Sequence, residues 1–278
     1  MFRTPPRFSP KNKAFRTGYR EIVDRLLYSR PCSYTLYLLH FRTMTTGNEQ
    51  LINDPLIDAL FGVGAHFGAR RSRRHPSGAN FIFGAKGGVE IFDLEKTKSA
   101  LEEAENYVRS LAKEGKQILF VTSKSEAKDA LVSAATKLDM PYVAGRFVGG
   151  TLTNFVQIRS RIDKMIDLRM QREKGELAKY TKKERLLIDR EIDRLETFFG
   201  GLVSLTALPA ALFVVDPRKE EIAVIEAQKE NVFVIALASS DCDISKIEYA
   251  IPGNDASRQS IAYFIERIAS AYESGKIA

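Results

Sequence analysis

Three glycines and four arginines lie close together in residues 61–76, which read FGVGAHFGARRSRRHP. Glycine allows backbone N–H groups to approach a phosphate closely, and the arginine guanidinium group matches the geometry of phosphate oxygens. Two kinds of site use this chemistry. One is a loop that holds the phosphates of a dinucleotide cofactor, and the other is a surface that binds a nucleic-acid backbone. The first predicts an enzyme and the second predicts a binding protein.

The dinucleotide motif does not fit this stretch. That motif requires G-x-G-x-x-G directly after a strand and at the start of a helix. Gly62 and Gly64 match, but Phe67 occupies the third glycine position and the glycine comes one residue later. A predicted helix precedes the stretch, and arginines and a proline follow it. The local context therefore argues against a cofactor loop.

The arginines favour a nucleic-acid surface. Arg70, Arg71, Arg73 and Arg74 place four cations within five residues, an arrangement that is self-repelling without a polyanion. The rings of His66, Phe67 and His75 offer stacking surfaces for a base or a ribose. Lys86, followed by two glycines, adds a second cationic turn. A solvated basic loop without a partner is the alternative.

A second run, RFVGGTLTNF at residues 146–155, combines a charge with a tight backbone. Gly149 and Gly150 permit close backbone approach, and Arg146 supplies a cation. Asn154 is predicted to contact RNA, although Thr153 or Asn154 also suits the cap of the next helix. Both uses are compatible.

Acidic and small polar residues follow the predicted strands, where enzymes of this architecture bind ligands. Asp216 and Asp241 are the candidates for a metal site or an acid–base pair, but Asp and Ser also begin helices and turns. The three histidines and two cysteines show no metal-binding spacing. We predict no catalytic residues, no metal and no cofactor, and keep a small-molecule enzyme that uses Asp216 and Asp241 as the alternative.

Three continuous apolar runs predict the elements that must position these groups. They are QILFVTS (residues 117–123), AALFVVD (210–216) and VFVIALASSD (232–241). Continuous apolar character is typical of strands that are buried on both faces, and helical patterns separate these runs. The sequence therefore predicts an α/β fold with a parallel sheet and helices on both faces.

Residues 155–199 lack a strand signal. Apolar residues recur there at intervals of three and four, which predicts two antiparallel helices with a coiled-coil type of seam, separated near Gly175. Two ordinary helices packed on the sheet are the alternative. Ser123 with Glu126, and Thr181 with Glu184, fit the capping box that starts a helix.

The positive charge is concentrated at the amino-terminal end. Residues 1–43 contain nine Lys or Arg and two Asp or Glu, so they carry the whole net charge of +7. We interpret them as a basic leader that is disordered or missing from the mature protein: an over-extended start before Met44, an organellar transit peptide or an RNA-binding tail. Two cysteines favour a reducing compartment, and no apolar run is long enough for a membrane span.

The chain resembles the bacterial-type small-subunit ribosomal protein family conventionally numbered two. The resemblance covers about residues 51–272, and the matching stretches follow in the family's order. They include GAHFGARRSRRHPS, FIFGAKGGVEIFDLEKT, RFVGGTLTNF, LPAALFVVDPRKEEIAVIEA and YAIPGNDASRQSI. Each motif alone is weak, but their order along the chain is specific.

The resemblance implies a flavodoxin-like α/β domain that carries a helical hairpin. It also implies binding to small-subunit rRNA between the head and the body, docking of the neighbouring ribosomal protein that recruits mRNA, and no enzymatic activity. Three positions depart from the family: Ala69 stands where a histidine is usual, Phe147 where a tryptophan is usual, and Ile244 where a proline is usual.

We therefore predict a structural component of the small ribosomal subunit. Residues 44–154 and 200–278 would form the α/β domain, and residues 155–199 the inserted hairpin. The predicted partners are small-subunit rRNA and neighbouring ribosomal proteins, with no membrane and no small-molecule substrate. The predicted location is the cytoplasmic ribosome, with an organellar ribosome as the alternative. The predicted RNA-binding residues are His66, Arg70, Arg71, Arg73, Arg74, Lys86, Arg146 and Asn154.

Overall fold

The computed structural model describes residues 54–277. The helices are α1 (Pro55–Gly62), α2 (Leu94–Lys113), α3 (Ser125–Leu138), α4 (Phe155–Glu173), α5 (Lys182–Phe199), α6 (Glu221–Lys229) and α7 (Arg258–Ile277). The strands are β1 (Phe67–Arg70), β2 (Ile82–Lys86), β3 (Val89–Phe92), β4 (Ile118–Thr122), β5 (Tyr142–Ala144), β6 (Ala211–Val215), β7 (Phe233–Ala238) and β8 (Tyr249–Pro252).

Five strands form a parallel sheet in the order β5-β4-β6-β7-β8. Counted from β4 along the chain, this order is 2-1-3-4-5, the order of flavodoxin-like doubly wound sheets. The three predicted apolar runs form β4, β6 and β7, which lie side by side in the sheet. Every residue of these strands except Phe233 is buried, as the continuous apolar runs predicted.

The two faces of the sheet carry separate core clusters. Ile118 and Phe120 of β4 belong to one cluster, whereas Leu119 and Val121 belong to the other, because successive strand residues point to opposite faces. Helices α2, α3 and α7 cover the first face. Helix α6 and buried residues of α4 and α5 cover the second. Each large aliphatic side chain that is fully buried contributes about 1.5–3 kcal/mol, so a shift of register by one residue is strongly disfavoured.

A smaller antiparallel sheet has the order β1-β3-β2. Arg70 of β1 and Lys86 of β2 both pair with Val89 of the central strand. Residues that are paired across strands share a face of the sheet, so the two cationic residues flank Val89 on one face.

Helices α4 and α5 lie between β5 and β6 along the chain, where the two helices were predicted. They are linked by ion pairs, of which Lys164 with Glu191 is the shortest, at 2.6 Å. The start of α4 and the end of α5 also pack on the sheet. The side chains that join the core there are Ile158, Ile162, Met165, Leu195 and Phe199.

One of the two predicted capping boxes is confirmed and the other is wrong. Thr181 caps α5, and the side chain of Glu184 accepts a hydrogen bond from the Thr181 backbone N–H at 2.8 Å. Helix α3 instead begins at Ser125 after Lys124, and no side chain caps it. Glu126 accepts a hydrogen bond from the Ser125 hydroxyl at 3.1 Å. Helix α3 begins one residue later than the predicted box requires, so Lys124 and not Ser123 occupies the N-cap position.

No helix within residues 54–277 is long and apolar enough to cross a bilayer. The predicted basic leader at residues 1–43 lies outside the described residues.

Gly201 provides a test of how closely the end of α5 packs against β5. A Cβ atom at Gly201 would lie 2.3 Å from the Tyr142 carbonyl oxygen and 2.7 Å from the Tyr142 ring. We expect Gly201→Ala to lower the free energy of unfolding by about 1–3 kcal/mol in urea denaturation, because the backbone of β5 must shift. Gly145→Ala is the matched control, since a Cβ there has no heavy atom within 4 Å. Equal effects of the two substitutions would contradict this packing.

Candidate nucleic-acid interface

The arginine-rich stretch is a structured part of the fold. It was expected to be a glycine-rich turn, but residues 67–75, here called the arginine segment, begin with strand β1 and continue as a 3-10 turn at Arg71–Arg73. The backbone N–H of Arg71 donates to the carbonyl of Gly88 at 2.9 Å. Pairing with β3 and its preceding turn therefore fixes the backbone that carries the arginines.

Ser240 anchors the arginine segment to the parallel sheet. The backbone N–H of Ala69 donates to the Ser240 hydroxyl at 3.0 Å. The backbone N–H of His75 donates to the Ser240 carbonyl at 2.8 Å. Ser240 is buried and lies just after β7, so both ends of the segment are fixed at the carboxyl edge of the sheet.

Gly68 makes this close approach sterically feasible. A Cβ atom at this position would lie 3.1 Å from the Ser240 hydroxyl oxygen and 3.3 Å from the Phe92 ring. Gly68 is also the glycine that is one residue too late for the dinucleotide motif. Its packing against Ser240 explains its position without a cofactor.

Three of the four arginines have no carboxylate partner among residues 54–277. Arg70, Arg71 and Arg73 are exposed, and no described acidic side chain lies within ion-pair distance of them. Arg74 lies 3.6 Å from Glu90, whose side chain is buried. Uncompensated guanidinium groups on a fixed backbone create a local positive potential that a polyanion would neutralise.

Lys86 lies beside these arginines. It is exposed and ends β2, and the following Gly87 and Gly88 adopt φ values of +60° and +79°. Two consecutive positive φ values are typical of the tight turn that joins two antiparallel strands, and glycine adopts them at little cost. The turn thus fixes Lys86 near Arg70, on the same face of the small sheet.

His66 lies in the interior. Its side chain is buried, its ring stacks on Phe61 with centroids 4.5 Å apart, and the Phe67 ring centroid lies 4.1 Å away. Burial lowers the pKa of His66 to about 4, because the uncharged ring is favoured away from water. This placement supports a role in fixing the segment rather than a direct polar contact with RNA.

Residues 146–154, here called the second cationic loop, also lie at the carboxyl edge of the parallel sheet, after β5. Arg146 and Asn154 are exposed. Asn154 occupies the position before α4, but its side chain makes no capping hydrogen bond. Phe147, at a position where the family usually has tryptophan, is buried in the core. Two strands, β4 and β6, lie between the strand before this loop and the strand that anchors the arginine segment.

Ser240 and Glu226 are supporting residues that no sequence motif predicted. In the sequence, Ser240 is one of several small polar residues that follow a strand, and Glu226 lies in an ordinary helical pattern. The carboxylate of Glu226 accepts hydrogen bonds from three backbone N–H groups of the second loop. Both residues lie far along the chain from the segments that they hold, so no local motif marks them.

Asp216 and Asp241, the alternative acid–base pair, are each held by a cationic side chain. Lys124 lies between Asp216 and Asp255, with its Nζ atom 2.9 Å and 2.8 Å from their carboxylate oxygens. Asp241 instead pairs with Arg218 at 2.6 Å. Burial opposes the charge of Lys124, but Asp255 and Asp216 outweigh it and raise the pKa of the ammonium group. The carboxylates at the strand ends therefore have internal cationic partners.

Cys242 lies beside this cluster. Its sulfur is 3.7 Å from a carboxylate oxygen of Asp216. Burial, followed by the nearby carboxylates, raises the pKa of the Cys242 thiol, so the reactive thiolate form is disfavoured. The cluster has the chemistry of a structural ion network.

Fold and surface together define an α/β protein with ion-paired carboxylates at its strand ends. It also carries exposed cationic residues on the arginine segment, at Lys86 and at Arg146, here called the basic face. The family model for ribosomal protein S2 matches residues 60–275. A small ribosomal subunit protein uS2 from Roseiflexus castenholzii is 41% identical over 233 residues, which cover 84% of this chain and 88% of that protein. The uS2 protein of Roseiflexus sp. strain RS-1 is 40% identical with the same coverage. That of Chloroflexus aggregans is 39% identical over 223 residues, which cover 80% of this chain and 94% of that protein.

The chain therefore belongs to the ribosomal protein S2 family. It is a structural ribosomal protein of the small subunit that serves in translation, and it is not an enzyme.

The buried His66 predicts a specific pH dependence of stability. Its pKa is about 4 in the folded protein and 6.5 when unperturbed, so only the unfolded state takes up a proton between these values. The free energy of unfolding is therefore unaffected by His66 protonation above pH 6.5. As the pH falls from 6.5 towards 4, protonation of His66 in the unfolded state lowers it by about 1.4 kcal/mol per pH unit. We expect urea unfolding of His66→Phe to lack this loss, while all other groups titrate as in the parent protein. An identical pH dependence of the two proteins between pH 7 and pH 4.5 would contradict the placement of His66.

Proposed function

We propose that this protein binds small-subunit rRNA through the arginine segment, with Arg70, Arg71 and Arg73 neutralising backbone phosphates. The supporting observation is that these three side chains are exposed and lack a carboxylate partner in residues 54–277. Guanidinium groups form bidentate hydrogen bonds with phosphate oxygens, and each neutralised phosphate releases counterions. The segment is already ordered by its hydrogen bonds to Ser240, so binding requires little further ordering.

The remaining predicted residues have supporting roles in this proposal. Lys86 shares a face of the small sheet with Arg70, and Arg146 and Asn154 extend the contact along the carboxyl edge of the parallel sheet. Arg74 contributes charge while it compensates Glu90. His66 holds the segment from the inside through its ring contacts.

We also propose the domain division that the sequence predicted. Residues 44–154 and 200–278 form the α/β domain, and residues 155–199 form an inserted coiled-coil hairpin. The ion pairs between α4 and α5 support the hairpin. We propose that residues 1–43 are a basic leader and that the protein works in the cytoplasmic ribosome. An organellar ribosome is the alternative.

Docking of the neighbouring ribosomal protein that recruits mRNA is the finer part of the proposal. Leu186 and Leu187 of α5 are 50% and 53% exposed on a helix whose outer face is otherwise charged. Exposed apolar side chains within a polar rim are characteristic of protein interfaces. We therefore assign the docking contact to this part of α5.

The arginine segment is tested by replacing Arg70, Arg71 and Arg73 together with alanine. Binding is measured by co-sedimentation with small ribosomal subunits that have been depleted of their own S2 protein, at several salt concentrations. We expect the affinity to fall by tenfold or more, and the slope of log affinity against log salt to become shallower by about two to three. The matched control replaces Lys113, Lys128 and Lys229 with alanine. These lysines are exposed on three helices away from the arginine segment, and their replacement removes the same amount of charge.

The two triple variants separate the proposed contact from a general effect of charge. The arginine variant should retain the melting temperature of the parent protein, because the three side chains make no internal ion pairs within the described residues. Co-sedimentation of the arginine variant equal to that of the lysine control would exclude the arginine segment as the RNA-binding surface.

The docking assignment is tested with Leu186→Ser combined with Leu187→Ser. We expect the occupancy of the mRNA-recruiting protein on the subunits to fall by about fivefold or more, while occupancy by this protein stays unchanged. Quantitative mass spectrometry of purified subunits measures both. Ile222→Ser on α6, also exposed at 55%, is the control. A loss that occurs with Ile222→Ser and not with the double variant would refute the assignment to α5.

A further inference from the structure

A buried carboxylate accepts hydrogen bonds from the backbone of the second cationic loop. Glu226 lies in α6 and is 7% exposed. Its Oε1 atom accepts a hydrogen bond from the Gly150 N–H at 2.6 Å. Its Oε2 atom accepts from the N–H groups of Leu152 at 3.0 Å and Thr153 at 3.3 Å. One side chain thus binds three backbone donors that lie more than 70 residues away along the chain.

These hydrogen bonds determine whether the backbone around Gly149 and Gly150 is available to bind a phosphate. Several backbone N–H groups that converge around Gly149 and Gly150 form the kind of concave site that binds phosphate in other proteins. Here the anion is the carboxylate of Glu226, so these donors are already satisfied. The loop therefore meets RNA with its exposed side chains rather than with its backbone.

The exposed side chains in question are at the two ends of the loop. Arg146 precedes the hydrogen-bonded stretch and Asn154 follows it, and both are exposed. Between them, Thr151 and Leu152 are buried, and the Thr151 hydroxyl donates to the Val148 carbonyl at 2.6 Å. Because the middle of the loop is held by hydrogen bonds, the backbone at Arg146 and Asn154 has little conformational freedom.

We infer that Glu226 is a positioning residue for RNA binding, which holds the loop so that Arg146 meets a phosphate in a single orientation. This inference rests on the proposed function, since it assumes that the basic face binds rRNA. Glu226 itself does not contact RNA. Its contribution is to remove, before binding, the conformational freedom that the loop would otherwise lose on binding.

Glu226→Gln is the most informative substitution because it preserves the shape of the side chain. A glutamine has one acceptor oxygen, and its amide NH₂ group would face either Gly150 N–H or the pair from Leu152 and Thr153. At least one buried N–H group would lose its partner, and the charge that strengthens all three bonds would be gone. Glu221→Gln, an exposed glutamate in the same helix, is the matched control for charge.

The experiment measures affinity for S2-depleted small subunits as a function of salt for five proteins: the parent, Glu226→Gln, Arg146→Ala, the double variant and the control Glu221→Gln. We expect each single variant to lower the affinity by about three- to tenfold and the salt slope by about one. The double variant should be no weaker than Arg146→Ala alone, because both substitutions remove the same contact. Glu221→Gln should bind as the parent does.

Each outcome decides the matter. Parent-like affinity and salt slope for Glu226→Gln, or additive losses in the double variant, would overturn the positioning role. An effect of the arginine-segment variant without any effect of Arg146→Ala would also overturn it while leaving the proposed function intact. If neither the arginine-segment variant nor Arg146→Ala nor Glu226→Gln alters binding, the proposed function itself fails.

A second variant covers the case in which Glu226→Gln does not remain folded. Gly150 adopts φ +92°, a conformation that strains any residue with a Cβ atom, so Gly150→Ala disturbs the loop and leaves Glu226 in place. We expect the same reduction in salt slope and the same lack of additivity with Arg146→Ala. A folded Gly150→Ala protein with the parent's salt slope would contradict the inference.

Discussion

The two hydrogen bonds that Ser240 accepts from the arginine segment are the interaction on which the rest of the basic face depends. They attach residues 67–75 to the carboxyl edge of the parallel sheet at Ala69 and at His75. Long arginine side chains on a mobile loop would lose much conformational entropy on binding. On a fixed backbone only the side chains have to be ordered. Gly68 permits the close approach, and the stacked ring of His66 supports the segment from the core.

The charged residues at the strand ends differ from those of the arginine segment in whether they have internal partners. At the strand ends, Asp216 and Asp255 share the ammonium group of Lys124, and Asp241 has Arg218. Sites that bind small ligands in doubly wound folds lie at this edge, but here its charged groups compensate one another. Arg70, Arg71 and Arg73 lack such partners within the described residues. Exposed arginines without carboxylate partners in the described part of the chain, next to strand-end carboxylates that have cationic partners, are the arrangement expected of a protein that binds a polyanion.

The central strands were predictable because their apolar runs reflect burial on both faces, which is a property of each strand alone. β1, β5 and β8 were not predicted, since each is only three or four residues long and is defined by its pairing partner. The capping boxes depend on the exact residue at which a helix begins. Thr181 is the N-cap of α5, as predicted, whereas Lys124 takes the N-cap position of α3 in place of Ser123. The arginines were visible in the sequence, but Ser240 and Glu226, which hold the two basic loops, act across the fold and leave no local pattern.

The most direct test of the arginine segment as an rRNA contact is a cryo-electron microscopy map of small subunits that contain this protein, at a resolution that shows side chains. Guanidinium nitrogens of Arg70, Arg71 and Arg73 should lie within about 3 Å of rRNA phosphate oxygens, the distance of a charge-assisted hydrogen bond. The segment should retain its hydrogen bonds to Ser240. A map in which these arginines face solvent, with rRNA bound to a different face of the α/β domain, would contradict the proposed interface.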